Sequence, residues 1–236
     1  MRHNRDSDRS LGGAGPTRRG LLVGAGALVP LAVPLALGGC ASLLVNGPPP
    51  ALYRLSPKST FPDDLPSVNW QLVLETPVAD AGLNTPRIAL TQAAHQIEYY
   101  ARANWTDRAP AMFQTMMIES FENSGRIVSV GRESLGLRAD FVLKSELREF
   151  QAVYDGSGPP VVRVGLALKL VGMPRREIVA STDIDRIAPA ADDSLQDVVA
   201  AFDQAAGAVL KDLVIWVLSS GERGLARLPA EGGIGS

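Results

Sequence analysis

The strongest constraint on the fold is an apolar stripe near the end of this 236-residue chain. Ser194 precedes the stripe and Asp197 follows three residues later, a pair that resembles a capping box. The stripe recurs at intervals of three and four residues: Leu195, Val198, Val199, Phe202, Ala206, Val209, Leu210, Leu213 and Val217. This spacing predicts a helix of more than six turns that buries one face against the sheet.

Three segments before this stripe alternate apolar and polar residues, at 140–150, 161–171 and 177–187. Alternation with a period of two indicates strands, and the short turns between the segments predict an antiparallel meander. The residues predicted to face inward are Phe141, Leu143, Leu147, Val162, Val164, Leu166, Leu168 and Leu170, with Ile178, Ala180, Thr182 and Ile184 sharing one side of the third strand.

Earlier segments supply the remaining elements. Residues 109–124 carry apolar side chains at helical spacing, and Gly125 follows as a stop. Residues 68–75 alternate as a strand, and 87–91 with 96–100 suggest a hairpin. The predicted class is therefore α+β, a two-layer sandwich of a mixed, mostly antiparallel sheet with two long helices on one face.

The N-terminal segment has the form of a bacterial lipoprotein signal. A basic start is followed by an apolar run at 20–36, and then by Leu37, Gly38 and Gly39 before Cys40. Cys40, the single cysteine, is the expected lipidation site and first residue of the mature protein. A transmembrane anchor is the alternative, but the run is shorter than the ~20 residues a span needs and contains two prolines.

Arg18 and Arg19 resemble a twin-arginine export signal, although an ordinary signal with two arginines is an equal alternative. The residues directly after Cys40 are Ala41 and Ser42, and the absence of an aspartate at these positions favours the outer membrane over the inner one. The predicted organisation is a signal peptide at 1–39, a lipidated tether at 40–50, one domain at 51–220 and a disordered tail at 221–236.

Composition argues against several functions. The signal holds five of the 23 basic and two of the 25 acidic residues, so the rest of the chain has a formal net charge of −5. This charge argues against nucleic acid as a partner, since binding it requires a basic surface. Beyond the signal, His95 is the only histidine and no free thiol is expected, so histidine-rich zinc sites and cysteine–histidine catalysis are excluded. We predict no catalytic residues, no metal, no cofactor and no enzymatic activity.

A polar segment before the first helix contains several aromatic residues, and Arg87 follows Pro86 earlier in the chain. Tyr99, Tyr100 and Trp105 are of the type that anchors interfaces, and Arg87 could pair with an acid on a partner. The alternative is that the aromatic residues fill the core and Arg87 is an ordinary strand-start charge.

The sequence around these residues resembles that of a known family, the ABC-type transport auxiliary lipoproteins. This family includes the lipoprotein of the paraquat-inducible system. The similar stretches, in order, are Leu83-Asn84-Thr85-Pro86-Arg87-Ile88, Ile97-Glu98-Tyr99-Tyr100, Trp105, Arg138-Ala139-Asp140-Phe141, Leu147-Arg148-Glu149-Phe150 and Val198 to Ala205. The resemblance spans residues 52–218.

The resemblance implies a non-enzymatic accessory of an envelope transport system, beside an ATPase, a permease and a substrate-binding protein of the mammalian-cell-entry type. Its cargo would be phospholipid or another hydrophobic molecule, and the lipoprotein would dock the periplasmic assembly at the outer membrane. A homo-oligomer is compatible with the sequence. An envelope-assembly or cell-wall regulatory lipoprotein is the alternative reading, and a carboxylate-dependent periplasmic hydrolase is the least favoured.

Overall fold

A computed structural model of the chain describes residues 49–136 and 138–226. The elements in this part are β1 (Ala51–Tyr53), β2 (Val68–Leu74), β3 (Val78–Ala79), β4 (Arg87–Thr91), β5 (Glu98–Trp105), α1 (Ala109–Ser124), β6 (Ile127–Arg132), β7 (Phe141–Val153), β8 (Val161–Gly172), β9 (Glu177–Pro189) and α2 (Leu195–Leu225), with a 3-10 turn at Glu133–Leu135. The predicted α+β class is confirmed: two helices cover a mixed sheet that curls into a half-barrel.

Strand β7 organises the sheet. One of its edges pairs along its whole length with β8, which pairs in turn with β9, so the predicted antiparallel meander is confirmed. The other edge is shared by three shorter strands, all parallel to β7: β2 at its start, β3 in the middle and β4 at its end. Strand β6 lies outside β2, and β5 and then β1 lie outside β4. The predicted hairpin is the antiparallel pair β4–β5.

A bulge in β7 changes which side chains are buried. Leu147 pairs with Leu166 and Glu149 with Gly165, so Arg148 is the extra residue between two regular stretches. An extra residue shifts the alternation of side chains by one position. Phe150 therefore returns to the buried face, where it is 1% exposed.

A second bulge lies in β9. Leu170 pairs with Ala180 while Val171 pairs with Ile178, and Val179 is the extra residue. Ile178 is consequently turned away from the helices and is 60% exposed. The prediction that Ile178 shares a side with Ala180 was wrong, because it assumed an unbroken alternation along the strand.

The core lies between the inner face of the sheet and the two helices. One aromatic cluster joins Trp105, Phe113, Phe150 and Phe202, with ring centroids 4.9–5.3 Å apart. Helix α2 continues through Leu225, five residues into the segment predicted to be a disordered tail. Its last turns are buried against the sheet, so the helix ends later than the glycines at 221 and 224 suggested.

Candidate functional site

Two of the residues predicted to bind a partner form an exposed patch on the β4–β5 hairpin. The guanidinium carbon of Arg87 lies 3.7 Å from the centroid of the Tyr99 ring, in a cation–π contact. The Tyr99 hydroxyl donates to the carbonyl of Gly82 at 3.0 Å, and this bond holds the ring in place. Ile97, 47% exposed, packs beside them over Gly82. We call Arg87, Ile97 and Tyr99 the hairpin patch.

Tyr100, by contrast, ties the hairpin to the rest of the fold. Its hydroxyl lies 2.9 Å from the hydroxyl of Tyr154, just after β7. Burial raises the pKa of the Tyr100 hydroxyl, and the hydrogen bond with Tyr154 adds to this rise. The geometry gives Tyr100 an anchoring contact within the chain.

Trp105 is a core residue. It is 1% exposed, and its ring centroid lies 5.3 Å from that of Phe150 and 5.1 Å from that of Phe202. The prediction that Trp105 offers a partner-binding surface is therefore corrected. The reason lies in β5, whose register against β4 shifts between the pairs Arg87–Asn104 and Ala89–Tyr99 and so breaks the alternation from Tyr99 to Trp105.

The loop before Arg87 joins the hairpin to α1 through its backbone. The carbonyl of Pro86 accepts a hydrogen bond from the N–H of Trp105 at 2.7 Å, and that of Thr85 accepts from Ala109 at 3.1 Å. Leu83 is buried at 5% exposure. These residues position the hairpin against α1, and Arg87 is the member of this stretch whose charged group faces outward.

Sequence reasoning missed a groove of about 1030 Å³ on the sheet face opposite the helices. Its floor contains Val73, Val142, Val171 and Ile178, from four different strands, and Val73 and Val171 are each only 6% exposed. Ionisable residues also line it: Glu75, Glu133, Arg138, Asp140, Lys144, Lys169 and Arg176. We call this feature the outer groove. The valines at outward positions of the strands could have indicated this groove in the sequence. The bulge at Val179 is not visible in the sequence, so Ile178 was not expected to join them.

The ionisable groups of the outer groove carry a surplus of positive charge. Lys144 is paired with Glu75 at 2.6 Å, and Asp140 accepts a backbone hydrogen bond from Gln71 at 2.8 Å. Lys169, Arg138 and Arg176 form no ion pair with any residue that the structure describes. Two acidic residues of the groove, Glu133 and Asp140, are in the same condition, so three unpaired cations face two unpaired carboxylates.

Within residues 49–136 and 138–226, no group of three or more histidine, cysteine, aspartate or glutamate side chains is arranged to hold a metal ion. None of the helices described here is both long and apolar enough to span a bilayer. The predicted signal and lipidation residues, Arg18, Arg19, Leu37, Gly38, Gly39 and Cys40, lie outside the described residues.

Comparison with known families finds a match for the folded part of the chain. Residues 53–214 match the sequence model of the ABC-type transport auxiliary lipoprotein components. The chain belongs to this family. The matched residues take in the hairpin patch, the strands of the outer groove and most of α2, and the family resemblance inferred from the sequence is confirmed.

Three relatives of this auxiliary lipoprotein show how far the similarity extends. An uncharacterised protein of Bradyrhizobium diazoefficiens is 29% identical over 157 residues, which is 64% of this chain and 40% of that protein, so the chain spans less than half of that relative. A crystal structure of a Xanthomonas campestris protein from a family of unknown function has a TM-score of 0.71, with 29% identity over 75% of this chain and 99% of that one. Another uncharacterised protein of known structure shares the fold alone, with a TM-score of 0.58 and 12% identity over 72% of this chain and 99% of its own.

The family model describes lipoproteins that are auxiliary components of ABC-type transport. Members of the family are auxiliary transport components, and the family is not a known enzyme family. The predicted lipoprotein character therefore agrees with the family to which the folded domain belongs.

Proposed function

We propose that this auxiliary lipoprotein is anchored through acylated Cys40 to the periplasmic face of the outer membrane. There it docks a substrate-binding protein of the mammalian-cell-entry type, part of an ABC system that moves lipid or another hydrophobic compound. Its role is non-enzymatic. The observation that carries this proposal is the family match over residues 53–214, because it extends from β1 into α2 and so covers the folded domain itself.

The proposed anchor would keep the hairpin patch near the membrane. A chain spans at most ~3.3–3.6 Å per residue, so the eleven residues from Cys40 to β1 at Ala51 reach about 40 Å at most. Strand β1 pairs with β5, the strand that carries Tyr99. The patch therefore lies on the strand next to the point where the tether enters the fold.

The hairpin patch has the composition expected of a docking surface. Arginine and tyrosine are enriched among residues that contribute most to binding at interfaces, and Ile97 adds exposed apolar area beside them. The contact of Tyr99 with Arg87 and with Gly82 holds the ring in a defined orientation before any partner binds. Such preorganisation reduces the entropy that is lost on association.

Photo-crosslinking in intact cells tests the proposal. A photoreactive amino acid replaces Ile97 in one full-length variant and Val128 in the control. Val128 is 70% exposed on β6, which lies at the opposite end of the strand order β1-β5-β4-β7-β2-β6. We expect an adduct with the mammalian-cell-entry-type protein from position 97 and little from position 128. Adding Cys40→Ser to the position-97 variant should abolish the adduct.

Two results would contradict the proposal. The position-97 variant could be exported at the wild-type level and yet give no adduct with a mammalian-cell-entry-type protein. That result would rule out the proposed partner. An equal yield of this adduct from positions 97 and 128 would show that the hairpin patch is not the docking surface.

A further inference from the structure

The floor of the outer groove is a continuous apolar row across four strands. Val73 pairs with Val142, Val142 with Val171, and Val171 with Ile178 in the sheet register. Because neighbouring strands are ~4.8 Å apart, the row extends over about 14 Å. An uninterrupted apolar row on the face away from the core is unusual for a sheet with one solvated face, where outward positions are polar.

The next row of outward side chains carries unbalanced positive charge. Lys144 and Lys169 lie directly opposite each other on β7 and β8, and like charges in this position destabilise a sheet. Glu75 neutralises Lys144, but Lys169 has no ion-pair partner among the described residues. Arg138 and Arg176 line the same groove. An anion bound beside Lys169 would relieve the repulsion between the two lysines.

The packing of the bulge keeps the apolar row in place before a ligand arrives. Val179, the extra residue of β9, points toward α2, where its Cβ would lie 3.5 Å from a Cβ added at Gly224. This inward contact is what turns Ile178 outward into the groove. The position of Ile178 is therefore set by core packing and does not depend on ligand binding.

We propose that the outer groove binds a single-chain anionic amphiphile. Its alkyl chain lies along the row formed by Val73, Val142, Val171 and Ile178, and its carboxylate or phosphate lies against Lys169 and the adjacent arginines. The volume of about 1030 Å³ is just above the ~300–1,000 Å³ typical of small-molecule sites. This inference goes beyond the proposed docking role and does not depend on that role.

Photoaffinity labelling of the full-length lipoprotein in phosphatidylcholine nanodiscs tests the inference. The probes are a diazirine-bearing palmitate, a lysophosphatidate with the same chain, and the corresponding uncharged alcohol. We expect both anionic probes to label peptides within residues 141–144 and 169–178. If only one of them does, the head group is identified as carboxylate or as phosphate.

Variants locate the two parts of the ligand. Ile178→Asp should reduce labelling by both anionic probes at least fivefold, whereas Ile187→Asp should leave it unchanged, since Ile187 is 57% exposed on the same strand but outside the groove. Lys169→Glu should reduce labelling by the anionic probes and leave labelling by the alcohol unchanged, and Lys169→Arg should preserve both.

Labelling outside the groove, or labelling that Ile178→Asp does not reduce, would overturn the inference. If neither anionic probe labels the groove while a photoreactive residue at position 178 captures the mammalian-cell-entry-type protein in cells, the groove is a protein interface and the inference is wrong. Because the nanodisc experiment contains no partner protein, its failure is distinguishable from failure of the docking proposal.

Discussion

Gly221 lies directly against the indole ring of Trp70. A Cβ at position 221 would come within 3.0 Å of the ring atoms Cε2 and Cη2, so the absence of a side chain is what allows α2 to cover this end of the sheet. The ring of Trp70 packs in turn edge-on against Phe141, with centroids 5.0 Å apart.

Gly221→Ala is therefore expected to lower the free energy of unfolding by about 1–2 kcal/mol, because overpacking outweighs the ~1 kcal/mol that alanine contributes to a helix. Gly207→Ala is the matched control in the same helix, since no neighbouring atom lies within 4 Å of its would-be Cβ. It should raise the free energy of unfolding by up to ~1 kcal/mol. Denaturant titration measures both, and a shift of the two variants in the same direction would contradict this packing.

A polar network couples α1 to the sheet. Arg132 donates to Gln114 Oε1 at 2.7 Å and to Thr115 Oγ1 at 2.6 Å, while Gln114 Nε2 donates to the carbonyl of Leu74 at 2.9 Å. Gln114→Leu should destabilise the fold by about 1–3 kcal/mol, because the carbonyl of Leu74 loses its donor and the guanidinium of Arg132 loses one of its two acceptors.

A double-mutant cycle with Arg132→Met checks that the two side chains act together. The double variant should lose less stability than the sum of the single losses, since either change alone already breaks the shared bond. Strictly additive losses in denaturant titrations would show that the network does not contribute as a unit.

The assignment of Trp105 to the core and Arg87 to the surface gives opposite expectations for two substitutions. Trp105→Ala should cost about 3–5 kcal/mol, as is usual for a buried aromatic residue. Arg87→Ala should cost no more than about 1 kcal/mol, since it removes one exposed cation–π contact. In the crosslinking assay, however, Arg87→Ala should weaken capture from position 97. Equal stability losses for the two variants would contradict the assignment.

Tyr100 makes the free energy of unfolding depend on pH in the alkaline range. Burial and the hydrogen bond with Tyr154 raise its pKa in the folded state above the ordinary value of 10.0, so the unfolded state releases this proton first. The contribution is fully present below about pH 10 and is lost as the pH rises further. Urea titrations between pH 9 and pH 11 should show a shallower decline in stability for Tyr100→Phe than for the wild type. Identical declines would argue against a half-buried, hydrogen-bonded hydroxyl at this position.

The elements with long, regular patterns could be predicted from the sequence. The stripe of α2, the three alternating segments of the meander and the β4–β5 hairpin all appear at the expected places. Each depends on local periodicity and on short turns, both of which can be seen in the order of residues alone.

The remaining features depend on information that is not local. The bulges at Arg148 and Val179 each reverse the side-chain alternation, so a strict period of two misplaced Ile178 and hid the outer groove. The three short strands that share one edge of β7 are parallel to it, and parallel pairing is set by tertiary contacts distant in sequence. The irregular stretch of β5 likewise separates Tyr99 on the surface from Trp105 in the core.

The mass of the protein purified from cell envelopes tests the central claim most directly. If the domain works as an anchored accessory, the chain should begin at Cys40, lack residues 1–39 and carry acyl groups on that residue, and Cys40→Ser should release it from the membrane fraction. A chain with an unmodified Cys40 thiol that fractionates as a soluble protein would contradict the account.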